Sequence, residues 1–289
     1  MKIFVITKKT LYFIAAALVL IIAAAVVLVV SAGKRDDGAE PTSAKPHSPL
    51  GQTKDGESDA LSQDDCYEVE VLAGFRKELP IYSVSRNDKK IAITIDAAWS
   101  DDKTPFILST LERYNVKATF FLCGFWAKAY PEQVRAIAAA GHAIGNHTMT
   151  HPHMTKISAE QMLKELSELD DLLEKITGKR STLFRAPYGE YNDLVILTVR
   201  GAGYEPIQWD IDTIDWRPER SSQTILDAVL SKLHDGAIIL CHNNGFKIEE
   251  YLPTLIETAL ANGYTFVTVD ELLLEGETFI DVNGVQKAE

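Results

Sequence analysis

Cysteine is scarce in this chain: three in 289 residues, at positions 66, 123 and 241. Their spacing matches no zinc ribbon and no redox pair, and three thiols cannot form the disulfide framework of a small secreted scaffold. The fold therefore rests on a hydrophobic core of its own, with Cys241 read as a core thiol. Cationic charge is also in short supply. The 29 basic residues face 41 acidic ones for a net −12. Three of the basic residues precede position 32 and none of the acidic ones does, so the rest of the chain carries 26 against 41, a net −15. Such a surface repels phosphate backbones, which excludes nucleic acid as a partner. Histidine is rare as well, seven in all. Three of them fall within seven positions, at His147, His151 and His153, whereas His47, His142 and His234 read as structural.

The acid-free start has a second meaning. Leu11 to Val30 runs without a charge, long enough to cross the hydrocarbon core of a bilayer. Lys2, Lys8 and Lys9 precede it, and Lys34 and Arg35 follow and dilute the asymmetry. These features predict a cytoplasmic tail over 1–10 and a single membrane anchor over 11–31, with the rest of the chain outside the cytoplasm. The alternative is a cleaved signal, with Val30-Ser31-Ala32 as the cleavage site and a secreted product. Its apolar core would exceed the usual length of about 7–15 residues. Residues 32–65 are rich in Gly, Ser, Pro, Lys and Asp and read as a flexible linker. A lead-in follows over 66–88, a folded domain over 89–271, and a tail over 272–289.

Within 89–271 short β-rich runs alternate with helical patterns. The runs lie at 91–95, 117–122, 142–145, 182–184, 205–209, 237–240 and 265–269. Helical patterns span 103–114, 131–140, 158–177, 191–200, 221–234 and 251–262. The third of these opens on a Ser158-x-x-Gln161 capping box and stops at Gly178. Strand and helix in strict alternation imply βαβ units and an α/β fold of about seven parallel strands, either barrel-like or an open doubly wound sheet.

Polar residues follow five of these strands. Asp96 comes after the first, His147 after the third, Arg185 after the fourth, Asp210 to Trp216 after the fifth, and His242 after the sixth. In parallel α/β folds the carboxyl ends share one face, which carries the chemistry. His147 and His151 at i, i+4 suit one divalent cation. Asp96 suits a general base, His242 a general acid, Arg185 a bidentate carboxylate partner and Asp215 a histidine-orienting carboxylate.

Five blocks carry a specific resemblance. They are Thr94-Ile95-Asp96-Ala97-Ala98-Trp99, His147-Thr148-Met149-Thr150-His151, Arg185-Ala186-Pro187-Tyr188-Gly189, Asp212-Thr213-Ile214-Asp215-Trp216 and Leu240-Cys241-His242. In this order they resemble the polysaccharide deacetylase family, carbohydrate esterase family four. The resemblance implies a distorted (β/α) barrel and a metal-dependent hydrolase that removes N-acetyl groups from an envelope polysaccharide, first peptidoglycan. It implies Asp96 as base, His242 as acid, and Arg185 and Asp215 as their respective partners. His147 and His151 would be metal ligands. Pro187, Tyr188 (through its N–H), Trp216 and Leu240 would meet substrate. The cation expected is zinc, with cobalt, nickel or manganese as alternatives, in a monomer anchored in the membrane.

One position departs from the family pattern. Ala97 stands where the family has a second aspartate, a metal ligand. His153, Asp101, Asp102 or Asp96 itself are the substitutes within reach along the sequence. The alternative function is a catalytically impaired carbohydrate-binding or scaffold protein.

Overall fold

The lead-in contributes a two-residue strand, β1 (Ser83–Val84), ahead of the central strand β2 (Lys90–Ala97). Every residue of β2 after Lys90 is buried, as expected for a strand covered on both faces. Alternation along β2 sends Ile91, Ile93, Ile95 and Ala97 toward the helices and leaves Ala92, Thr94 and Asp96 on the opposite, inner face. The computed structural model describes residues 77–100 and 103–289. The expected tail, anchor and linker over 1–65, residues 66–76 of the lead-in, and Asp101 and Asp102 lie outside the described residues. Among the described residues no helix is long and apolar enough to cross a membrane.

After β2 the chain runs through α1 (Thr104–Arg113), β3 (Thr119–Leu122), α2 (Gly124–Ala129), α3 (Pro131–Ala139) and β4 (Ala143–Asn146). It continues through α4 (Ala159–Thr177), β5 (Leu183–Phe184), α5 (Asp193–Gly201), β6 (Glu205–Pro206) and β7 (Ile211–Asp212). Then come α6 (Ser222–Leu230), β8 (Ile238–His242), α7 (Ile248–Ala261), β9 (Thr265–Phe266), α8 (Val269–Leu272) and a hairpin, β10 (Thr278–Ile280) and β11 (Val285–Ala288). The main sheet runs β6-β5-β4-β3-β2-β8-β7, with β9 paired to the start of β2, and every pairing in it is parallel.

The run at 205–209 was expected as one strand, but it ends at Pro206, and a second short strand starts at Ile211. Proline offers no ladder donor. Ile207 instead bridges to Ile81 of the lead-in, and Ser83 bridges to Ala237. The lead-in thus occupies the gap between the two sides of the curled sheet. Residues 272–289, expected as a tail, carry the hairpin, whose β11 pairs parallel with β1.

Helix α4 shows how local chemistry sets an element. Ser158 accepts from the Gln161 N–H and the Gln161 side chain accepts from the Ser158 N–H, while Gly178 ends the helix at φ 76°. Met162, Leu166, Leu169 and Leu173 form its buried stripe, at the i, i+4, i+7 spacing of one helix face. Burying each such side chain contributes about 1.5–3 kcal/mol, so Leu169→Ala removes more than loss of the cap does. Below the site, Ala92, Phe121, Leu183, Ile207 and Ile238 fill the inside of the curled sheet. This packed floor confines polar chemistry to the carboxyl end.

Candidate functional site

Arg185 is a large and fully buried cation, placed one residue past β5. It donates to Asp96 Oδ1 at 2.8 Å, to Thr94 Oγ1 at 2.8 Å and to the Gln208 carbonyl at 3.0 Å. Its guanidinium lies 4.1 Å from the Phe121 ring centroid. Burial alone would raise the Asp96 pKa, but the Arg185 charge, helped by His147 and His242, reverses the effect and holds the carboxyl below its ordinary range. Burial likewise pushes the Arg185 guanidinium down, against the opposing pull of Asp96. Asp96 is no helix cap, since Lys103 occupies the N-cap of α1.

Asp96 Oδ2 lies 3.6 Å from His147 Nε2. The His147 Nδ1–H donates to the Arg185 carbonyl at 2.9 Å, which leaves Nε2 as the acceptor nitrogen on the Asp96 side. Burial pushes His147 down, and it pushes His151 down to about 4, with the neighbouring His147 adding to the shift. Both imidazoles are thus neutral at pH 7, the form that binds metal. Their ring centroids are 5.0 Å apart, and His151 Nδ1 is buried without a hydrogen-bond partner. An orphaned nitrogen beside a fixed acceptor nitrogen fits a cation as a two-nitrogen donor pair. Among the described residues no group of three His, Cys, Asp or Glu side chains is placed to hold a metal. The pair is one protein ligand short of the usual three. His153 does not supply it: its ring stacks on Tyr188 with Nδ1 on Glu190 at 2.8 Å, and it does not line the cavity that His147 and His151 share. Ala97 belongs to the main core beside Cys123 and Met149.

Across the cavity, Asp215 is fully buried and accepts three hydrogen bonds. They come from His242 Nδ1 at 2.7 Å, the His242 N–H at 3.1 Å and the Tyr251 hydroxyl at 2.6 Å. Burial works against the His242 imidazolium, but the Asp215 bond and charge outweigh it and raise the His242 pKa, with smaller help from Asp96 and Asp212. Gly245 makes this approach possible, because a Cβ there would lie 2.2 Å from Asp215 Oδ2.

These groups face one cavity of about 520 Å³, lined by Asp96, His147, His151, Tyr188, Trp216, Leu240 and His242 together with Trp99, Trp209 and Asp212. The Tyr188 backbone turns at φ 60° and Ile214 at φ 51°, while Thr148 and His151 are also left-handed. Strained non-glycine backbone clusters at functional sites. Of the residues expected to meet substrate, Tyr188, Trp216 and Leu240 line the cavity, and Pro187 is buried and does not. Tyr251, Gln208 and Gly245 were not singled out from the sequence. Tyr251 reads there as one more apolar position of α7, and no spacing rule links it to Asp215. Trp99 stood inside a quoted block without a role.

Comparison with known proteins follows the same outline. The family model described as polysaccharide deacetylase matches residues 83–207. The peptidoglycan-N-acetylmuramic acid deacetylase PdaA of Bacillus subtilis is 31% identical over 199 residues, covering 68% of this chain and 76% of that protein. The peptidoglycan-N-acetylglucosamine deacetylase PgdA of Listeria monocytogenes is 35% identical, covering 68% of this chain but 41% of that longer protein. Among solved structures, a CE4 family pseudoenzyme from Bacillus anthracis superposes with a TM-score of 0.64 at 34% identity, over 67% of this chain and 68% of its own. A parallel curled sheet, a carboxylate–arginine pair and a carboxylate–histidine pair at its carboxyl end, and these identities lead to one assignment: the chain belongs to the polysaccharide deacetylase family.

Proposed function

We propose that this chain is an envelope N-deacetylase acting on peptidoglycan amino sugars. The observation that carries the proposal is the pairing across one cavity of Asp96, held by Arg185, with His242, held by Asp215. Asp96 keeps Oδ2 clear of Arg185 and takes the proton from an attacking water. His242, whose protonated form Asp215 favours, returns a proton to the departing amine. Acetate and a free amino sugar leave. His147 and His151 are the residues that would hold a divalent cation, zinc first. Such an ion would supply Lewis-acid polarisation of the acetyl carbonyl and a more acidic water. Tyr188 offers its backbone N–H to the oxyanion, and Trp216 and Leu240 wall the acetyl group.

The same proposal includes the membrane anchor at 11–31, an extracellular catalytic domain and a monomeric state, supported by the charge-free run and its basic flank. It also places the chain in an atypical subgroup with Asp96-Ala97 in the first block. A second function is favoured by one observation: Ala97 leaves the histidine pair a ligand short, and both a CE4 pseudoenzyme and its mutant with restored enzymatic activity are similar to this chain. On that alternative the cavity binds glycan without turning it over. The deciding experiment measures bound metal and acetate release from peptidoglycan and from chitin oligomers. Acetate release that requires Asp96 and His242 supports the enzyme. Glycan binding with no release at saturating zinc supports the binder.

A further inference from the structure

Helix α4 carries a buried carboxylate that takes no part in the chemistry proposed above. Asp170 is 4% exposed and lies 24 residues from Asn146 in the chain. Its Oδ1 accepts from Asn146 Nδ2 at 3.1 Å and its Oδ2 from the Tyr204 hydroxyl at 2.7 Å, with Arg180 Nη1 at 3.9 Å. Asn146 closes β4 directly before His147 and is fully buried. Its Nδ2 also donates to the Leu166 carbonyl at 3.0 Å, and its Oδ1 accepts from the Thr148 N–H at 2.9 Å. Thr148 Oγ1 in turn accepts from the His151 N–H at 3.0 Å. A relay of hydrogen bonds thus runs from α4 through Asn146 and Thr148 to the backbone of His151. Both loop residues that it reaches are left-handed, Thr148 at φ 68° and His151 at φ 58°. Non-glycine backbone of this kind persists only where its surroundings over-determine it. The His147 ring is fixed by its own bond to the Arg185 carbonyl, whereas His151 Nδ1 has no partner. The His151 ring therefore takes its place from its backbone and from the rings of Trp99, His147 and Tyr188, whose centroids lie 4.9, 5.0 and 4.6 Å away.

We propose that Asp170 is a positioning residue for the histidine pair: by fixing the Asn146 amide it sets the turn that carries His151 to the cavity. The inference rests on His147 and His151 as the metal-holding pair proposed above and adds to it the group that aims the second histidine. An asparagine amide has an accepting and a donating end, and a half-turn about χ2 exchanges them. The Thr148 N–H needs the accepting end. A carboxylate offers acceptors only, so Asp170 and the Leu166 carbonyl together claim both Nδ2 hydrogens on the α4 side, and one orientation is left. Without Asp170 a buried N–H has no acceptor, and an amide that turns to find one withdraws Oδ1 from Thr148. Glu165 holds the loop further on, accepting from the Thr150 N–H and hydroxyl at 2.7 Å each, but these bonds reach neither left-handed residue.

The test compares the full chain in detergent as wild type, Asp170→Ala, Asp170→Asn and Leu169→Ala. Leu169→Ala loosens the same turn of α4 from the core side without touching the relay. Asp170→Asn can preserve it, with its carbonyl on Asn146 and its amide on the Tyr204 oxygen. Three quantities are read at neutral pH: exchange of the Thr148 and His151 amide hydrogens, the His151 ring-proton shifts that report its three neighbouring rings, and zinc affinity by calorimetry. Asp170→Ala should speed both exchanges at least about tenfold beyond Leu169→Ala at a matched fall in Tm. It should move the His151 ring signals but not those of His142 or His234. It should also weaken zinc by about 3- to 10-fold, less than the roughly 10–100-fold lost with a direct partner of a ligand. Asp170→Asn should restore all three. Unchanged exchange and ring signals in Asp170→Ala, or changes that Leu169→Ala reproduces, make Asp170 a plain tie between α4 and the sheet and overturn the proposal. If wild type takes no zinc while exchange and ring signals move as expected, the metal-holding role falls and the positioning stands. Should Asp170→Ala not fold, Asp170→Ser gives the same comparison, because its hydroxyl is too short to reach both partners.

Discussion

Gly245→Ala is the substitution with the most to say about the acid side of the cavity. The added methyl carbon would stand 2.2 Å from Asp215 Oδ2 and 2.7 Å from its Cγ. Asp215 cannot step aside cheaply. It is fully buried and holds His242 Nδ1 at 2.7 Å, the His242 N–H at 3.1 Å and the Tyr251 hydroxyl at 2.6 Å. Overpacking a rigid site costs about 1–3 kcal/mol, and a hydrogen bond to a charged group contributes about 1.5–3 kcal/mol. With partial relaxation the loss should be about 2–4 kcal/mol, or a fall of roughly 4–16 °C in Tm for a domain of this size. The sign for His242 follows from its partners. Asp215 raises its pKa against burial, so displacing Asp215 lowers it, and the alkaline limb of any deacetylation profile moves to lower pH. Circular-dichroism melts and an NMR titration of the imidazole read the two effects separately. Gly201→Ala is the control, since nothing lies within 4 Å of a Cβ there, and it should be neutral or stabilising by up to about 1 kcal/mol. If Gly245→Ala melts with this control and leaves the His242 titration in place, the reasoning about Asp215 is refuted.

Three further outcomes follow from the same geometry. Ala97→Asp should tighten zinc binding to the apo protein in calorimetry, because a carboxylate at the end of β2 that turns from the core adds a hard anionic ligand to two neutral imidazoles; unchanged affinity would mean that the new side chain stays on the core side of the strand or that another residue fills the position. Asp96→Asn keeps an acceptor for Arg185 but leaves a fully buried guanidinium uncompensated, so urea unfolding should show a loss of about 3 kcal/mol, with any acetate release down by about 10²–10⁴. Burial, with the Lys117 charge, pushes His142 down to about 4, while its Nδ1 accepts from the Ala118 N–H at 3.2 Å. Between about 6.5 and that value the unfolded chain binds a proton the folded chain refuses, so stability is complete above the window and lost as pH falls through it. His142→Gln should remove up to about 3 kcal/mol of that slope in melts taken from pH 7 to pH 4, and an identical slope would count against the assignment.

What the sequence disclosed was chemistry that is local along the chain. Helix α4 was legible because Ser158, Gln161 and Gly178 lie within a few residues of the ends they cap. The inner face of β2 was legible because alternation ties Asp96 to Thr94. Contacts between distant segments were not. The Tyr251 hydroxyl meets Asp215 across 36 residues, and the Arg185 guanidinium reaches the Gln208 carbonyl, a backbone atom that no residue type announces. Helix α2 was missed because it starts without a side-chain cap and lasts six residues, too short to show a period. The break between β6 and β7 was hidden because Ile207 looks like the continuation of a strand, while its partner, Ile81, lies in the lead-in. Position 153 shows the reverse error, since a third histidine beside two candidate ligands suggests a third ligand, and only its place outside the cavity that His147 and His151 line shows otherwise.

The parallel pairing of β1 with β11, Ser83 opposite Val285, has a consequence for how the domain is made. It joins segments separated by about 200 residues, for which loop closure alone costs roughly 5 kcal/mol. A contact so remote in sequence raises contact order and belongs late in folding. A growing chain can therefore assemble β2, β3 and β4 while the lead-in still lacks its partner strand, with Ile81, Val84 and Leu272 incompletely covered. In that interval the polypeptide stays open to whatever handles nascent chains, and synthesis of the hairpin ends it.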